Sequence, residues 1–234
     1  LKNKIFLKDK NHFFLFLIRL ASQRKSKIFL TKINFMKKIF LASFIALTGF
    51  VAGAQTQFGL KAGGNFYTFG GNSVEDADLN SKFGLHVGGI VNFSVTDKFK
   101  VQPEVVFSIQ GSKQTDGTDE LNWNFNYLNI PVMAQYYVSN GFYLETGPQL
   151  GFNLKADIKE EGSDVTLDVD DEVKSTDFSW SLGAGYKTAS GFGFGARYNL
   201  GLSNIAEDTN EEIKNRGFQV GIFYMFGSKK VKKD

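Results

Sequence analysis

The stretch YLNIPVMAQYYVSNGFYLETGPQLGFNL, residues 127–154, decides the fold. Leu128, Ile130, Val132, Ala134, Tyr136 and Val138 hold alternate positions, and after Ser139-Asn140-Gly141 the alternation resumes with Phe142, Leu144, Thr146, Pro148, Leu150, Phe152 and Leu154. A period of two belongs to β-strands. The positions between, Glu145, Gly147, Gln149, Gly151 and Asn153, are polar or lack a side chain. The hairpin therefore has one apolar face and one face that cannot be an oily core.

Working outward, the same pattern recurs. Phe58, Leu60, Ala62 and Phe66 alternate with Gln57, Gly59, Lys61, Gly63 and Asn65; Phe83, Leu85, Val87, Val91, Phe93 and Val95 with Lys82, Gly84, His86, Gly88, Asn92 and Ser94; Phe99, Val101, Val105, Phe107 and Ile109 with Lys100, Gln102, Glu104, Ser108 and Gln110. Three more segments, 178–187, 192–203 and 218–226, do likewise and bring the strands to eight. The connections alternate in length. Thr96-Asp97-Lys98, Ser139-Asn140-Gly141 and Thr188-Ala189-Ser190 are tight, whereas Gly70 to Ser81, Gly111 to Asn122, Asp157 to Asp177 and Asn204 to Arg216 are long and polar.

An even strand number with short turns on one rim and long loops on the other is the habit of outer-membrane barrels, whose short turns lie in the periplasm. A soluble lipocalin-like barrel would show the same alternation with its apolar faces turned inward. Aromatic placement favours the membrane. Phe58, Phe93, Phe99, Tyr136, Phe142, Tyr186, Phe192 and Phe226 sit beside the short turns, and Phe66, Phe83, Phe107, Trp123, Phe152, Phe178 and Phe218 near the long loops, as two interfacial girdles would. The expectation is an all-β, eight-stranded antiparallel up-and-down transmembrane barrel, closed through its first and last strands around a filled polar lumen.

The chain has no cysteine, and its formal charge of +3 averages two unlike parts. Residues 1–35 carry nine basic side chains and one acidic, whereas residues 55–234 hold 16 basic and 23 acidic, a net of −7. An acidic mature protein argues against nucleic-acid partners. Met36-Lys37-Lys38, the apolar run Ile39 to Val51 and Ala52-Gly53-Ala54 form the three regions of a signal peptide, with cleavage expected after Ala54 and export as its consequence. The expected organisation is a non-native upstream extension over 1–35, a signal peptide over 36–54, the barrel over 55–227 and a basic periplasmic tail over 228–234.

Tyr127-Leu128-Asn129-Ile130-Pro131, Gln135-Tyr136-Tyr137 and Tyr143-Leu144-Glu145-Thr146-Gly147-Pro148 resemble the central signature of the PorT-like outer-membrane β-barrel family of Bacteroidota. Gly59-Leu60-Lys61-Ala62-Gly63-Gly64-Asn65 resembles that family's start. The chain departs from the pattern at Asn129, where the family usually carries Glu. The resemblance implies an outer-membrane location and association with a secretion apparatus.

Lys61, Glu104, Glu145 and Arg197 face the lumen at similar depth, and opposite charges at one level are expected to pair as a structural network. His86, the one histidine after the signal peptide, faces the lumen too. A barrel acyltransferase or lipase would need it beside Ser94 or Ser108, and nothing in the spacing places either there. The segment from Asp157 to Asp177 holds nine acidic residues and two lysines. Its densest part, Asp168, Asp170, Asp171 and Glu172, suits Ca²⁺ or Mg²⁺ by ligand type and could bridge to lipopolysaccharide, but lacks an EF-hand's spacing. Solvated charge is the plainer expectation. Gly191 to Gly195 opens no helix and is no nucleotide loop.

The reading is a non-enzymatic structural or interaction component of the cell envelope, without cofactor. Its expected partners are outer-membrane lipid, lipopolysaccharide and envelope or secretion-system proteins. A narrow passive channel and a soluble lipocalin-like binder are the alternatives.

Overall fold

A computed structural model describes residues 55–74, 79–116, 119–162, 166–207 and 210–227; the expected upstream extension, signal peptide and basic tail lie outside these. Nine antiparallel strands follow in order: β1 (Gln55–Gly70), β2 (Leu79–Ser94), β3 (Phe99–Asp116), β4 (Asp119–Tyr137), β5 (Phe142–Glu160), β6 (Thr166–Asp168), β7 (Thr176–Lys187), β8 (Phe192–Gly201) and β9 (Lys214–Phe226). Eight of them close a ring in the order β1-β2-β3-β4-β5-β7-β8-β9, with β9 pairing back onto β1 from Phe58↔Phe226 to Gly70↔Lys214. The short β6 lies outside the ring, paired with the end of β5 through Asp157↔Asp168.

The distribution of side chains is inverted relative to a water-soluble protein. Phe58, Leu60, Leu182, Phe194 and Ile222 are all more than half exposed, while Asn65, Glu104, Ser108, Gln135, Ser181 and Asn199 are at most 2% exposed. Water would penalise such a surface and hydrocarbon would not, so the soluble lipocalin-like alternative, which needs the apolar faces inside, is excluded. Gly141 (φ 94°) and Gly191 (φ 96°) close the β4–β5 and β7–β8 turns in the left-handed region, where other residues are strained.

Three expectations need correction. First, β3 has 18 residues and β4 and β5 have 19 each, so these strands run well past the ~9–11 residues that a tilted span requires. Their surplus stands beyond the long-loop rim. Second, the connections expected as polar loops carry apolar anchors: Ile158, Val169 and Val173 after Asp157, Ile205 and Ala206 after Asn204, and Val74 between β1 and β2 are buried. Backbone bonds join these segments, Lys174 N to Ile205 O (2.7 Å), Ile205 N to Ile213 O (2.8 Å) and Glu207 N to Glu172 O (2.9 Å). The long connections thus fold into a cap. Third, Trp123 and Phe152 do not join an exposed girdle. Trp123 falls in phase with the lumen-facing residues of β4 and packs on Phe69 and Phe125, and Phe152 is 6% exposed.

Candidate functional site

The barrel interior is filled in layers. At its centre the Arg197 guanidinium, from β8, crosses to Glu104 on the diametrically opposite β3, with Nη2–Oε1 at 2.8 Å and Nη1–Oε2 at 3.1 Å. Its Nε donates to Glu145 Oε1 on β5 at 2.9 Å, and Lys61 Nζ on β1 donates to Glu104 Oε2 at 2.9 Å. Two cations meet two carboxylates, and the set is neutral. Gln102 also donates to Glu104 Oε1 at 2.9 Å, Gln135 donates to the remaining Glu145 Oε2 at 3.0 Å, and Asn92 donates to both glutamines. The strand alternation puts all of these inside, and ring closure brings them together. Arginine suits the position because its planar fork serves two carboxylates at once.

His86 lies one layer toward the long loops. Its Nδ1 meets Asn65 Oδ1 at 2.7 Å, and Asn65 Nδ2 donates to Ser108 Oγ at 2.9 Å. Ser108 is the cross-strand neighbour of His86, which the spacing did not reveal. Asn65 stands between them, so the histidine is not poised to take a proton from the serine. A cavity of about 30 Å³, lined in part by Lys61, His86, Gln102, Tyr143, Glu145 and Arg197, has room for a water-sized guest.

Aromatic and apolar layers lie on both sides of the charges, where the sequence suggested a polar lumen throughout. Toward the long loops Tyr67, Phe69, Trp123, Phe125 and Tyr127 point inward, with ring centroids 5.3 Å apart for Phe69–Phe125 and 6.3 Å for Phe125–Tyr127. Tyr67 Oη accepts from Asn199 at 2.8 Å and from Gln219 at 3.2 Å. Toward the short turns Met225, Tyr143 and Tyr137 fill the section, the two tyrosines 5.1 Å apart. Lumen glycines make room for these large groups. A Cβ at Gly217 would lie 2.4 Å from the Tyr67 ring, and one at Gly59 would lie 2.5 Å from Met225 Sδ. A parity count down β4 from Gln135 finds the inward aromatics, but residue type alone assigns them to a membrane interface.

The acidic residues of the cap do not assemble a metal site. Asp170 Oδ1 accepts from Ala156 N at 2.5 Å and Asp168 Oδ1 from Asp170 N at 3.1 Å, so both fix backbone turns, while Asp171 is exposed. Among the described residues no three His, Cys, Asp or Glu side chains converge on a common point. Glu172 is half-buried; burial first, then the charges of Asp171, Asp168 and Asp170, pushes its carboxyl above the usual range.

Among curated proteins none matches the chain. Among solved structures it is similar to Ail, the attachment invasion locus protein of Yersinia pestis, at 14% identity and a TM-score of 0.46, over 73% of this chain and 98% of that one. It is similar to Neisserial surface protein A at 13% identity and a TM-score of 0.47, over 71% of this chain and 96% of the other. The family described as outer membrane protein beta-barrel domain matches residues 53–207, two-thirds of the chain. An eight-stranded ring, apolar outside and polar at its centre, agrees with that match, and the chain belongs to this family of outer-membrane barrels.

Proposed function

We propose that the protein is a closed, non-enzymatic barrel of the cell envelope whose working surface is the extracellular cap. The observation that carries this reading is the Arg197 guanidinium spanning the lumen to Glu104 and Glu145, with apolar layers above and below it. A conducting lumen needs a continuous wet path, and a central void of about 30 Å³, room for a water-sized guest, supports a closed one. The His86–Asn65–Ser108 chain is consistent with packing rather than catalysis, so His86→Ala leaves any envelope phenotype that depends on the cap unchanged.

Lipid surrounds the apolar outer face, and the acidic cap stands where lipopolysaccharide and envelope proteins can meet it. The finer assignment, a PorT-like barrel in contact with a secretion assembly and exported by cleavage after Ala54, rests on the hairpin motif and the leader pattern in the sequence. Planar-bilayer recording of the folded barrel tests the closed lumen. The expected trace is flat; reproducible open steps altered by Glu104→Gln or Arg197→Gln would replace the plug with a narrow channel.

A further inference from the structure

The charges at the centre of the barrel are balanced, but those at its periplasmic mouth are not. Lys100, the second residue of β3, and Lys187, the last of β7, both face the lumen at its short-turn end, where the cross-strand pairs Tyr137↔Tyr143 and Tyr143↔Gly185 bring their strands together and each ammonium group acts on the other. Lys100 Nζ lies 4.4 Å from the centre of the Tyr137 ring, and Lys187 Nζ donates to Gln57 Oε1 at 2.9 Å. Tyr137 in turn rests on Tyr143, which fills the lumen beneath the two lysines. Neither lysine is paired with a carboxylate among the described residues, whereas Lys61 and Arg197 both are. Two half-buried ammonium groups so placed repel, and a bridging anion removes that repulsion.

We propose that Lys100 and Lys187 form a phosphate-binding site open to the periplasm. Phosphate fits on charge and on shape. A free phosphate or monoester carries about −1.5 to −2 and the phosphodiester of a lipid head group about −1, so either offsets the repulsion between the two ammonium groups. The several oxygens of either can accept from both lysines at once, and such charge-assisted bonds are the strong ones. The exposed turn lysine Lys98 adds positive charge beside this rim, which draws anions toward it. The phosphate is either a dissolved ion or ester, or the head group of an inner-leaflet phospholipid reaching round the rim.

The test uses the full chain folded in maltoside micelles free of phosphate, titrated calorimetrically with inorganic phosphate, and then in nanodiscs containing phosphatidylglycerol. Saturable binding of one phosphate per barrel is expected, weakened about tenfold or more by Lys100→Gln or Lys187→Gln and lost in the double variant. Lys98→Gln is expected to bind like the parent, and Lys100→Arg with Lys187→Arg to retain binding. Should free phosphate fail but phosphatidylglycerol co-purify with the parent and not with the double variant, the site stands with a lipid source. If neither phosphate nor phosphatidylglycerol distinguishes the parent from the double variant, with both folded by heat-dependent gel migration, the site does not exist. Lys187→Met alone serves the same comparison where the double variant does not fold.

Discussion

Arg197 is the residue on which the interior depends, because among the described residues it is the one cation bonded to both Glu104 and Glu145. Removing it leaves Glu104 and Glu145 in the lumen with Lys61 alone, and an uncompensated buried charge costs about 3–5 kcal/mol. Arg197→Met is therefore expected to lower stability by that amount in urea unfolding from lipid vesicles, and a loss below about 1 kcal/mol would show that the network contributes little. Packing offers a second check. Gly217→Ala sets a methyl group against the Tyr67 ring and is expected to destabilise by about 1–3 kcal/mol, whereas Gly89→Ala, with nothing within 4 Å of its Cβ, is expected to be silent. The facing of Lys61, Glu104, Glu145 and Arg197 was legible because parity fixes it. That Arg197 crosses to a residue 93 positions away was legible only as shared depth, since the contact depends on the diameter of the closed ring.

At the scale of elements, the extracellular halves of β3, β4 and β5 are where the sequence misled. Loop-like composition between Asp157 and Asp177 hid Val169 and Val173, single apolar residues too sparse to show a period, yet each is buried against the cap. The anchors imply that the cap opens separately from the barrel. Ile205→Ala is expected to remove about 2–5 kcal/mol of local protection, read by hydrogen exchange at the amides of Lys174 and Glu207, while heat-dependent migration stays that of the parent. Acidity works in the opposite direction. Because the folded cap favours protonated Glu172, the stability tied to that proton is complete below the ordinary carboxylate value and is lost as pH rises through the raised one. Protection at Glu207 N, which donates to Glu172 O, should therefore fall as pH rises above the ordinary carboxylate range, and Glu172→Gln should flatten the profile. Protection that instead rose with pH would assign the dominant charge to another group.

At the scale of the whole molecule, the interior obstructs passage in series, and this sets what opening it would require. The central charge layer and the aromatic layer of Phe69, Phe125 and Tyr127 each fill the cross-section, so removing one leaves the other in place. Glu104→Ser with Arg197→Ser deletes the cross-lumen pair while leaving Lys61 and Glu145 as a balanced couple. Alanine at Phe69, Phe125 and Tyr127 clears the second layer without touching a charge. Each set alone is expected to stay electrically silent in planar bilayers, and only their combination, together with alanine at Tyr137, Tyr143 and Met225 in the layer toward the short turns, to give reproducible steps, provided that the barrel still migrates as a folded species before boiling. Conductance from either set alone would mean that a single layer is the gate. The same record bears on function, because a protein that needs several independent layers removed before it conducts keeps its lumen closed as a structural property, and leaves its two rims to meet partners.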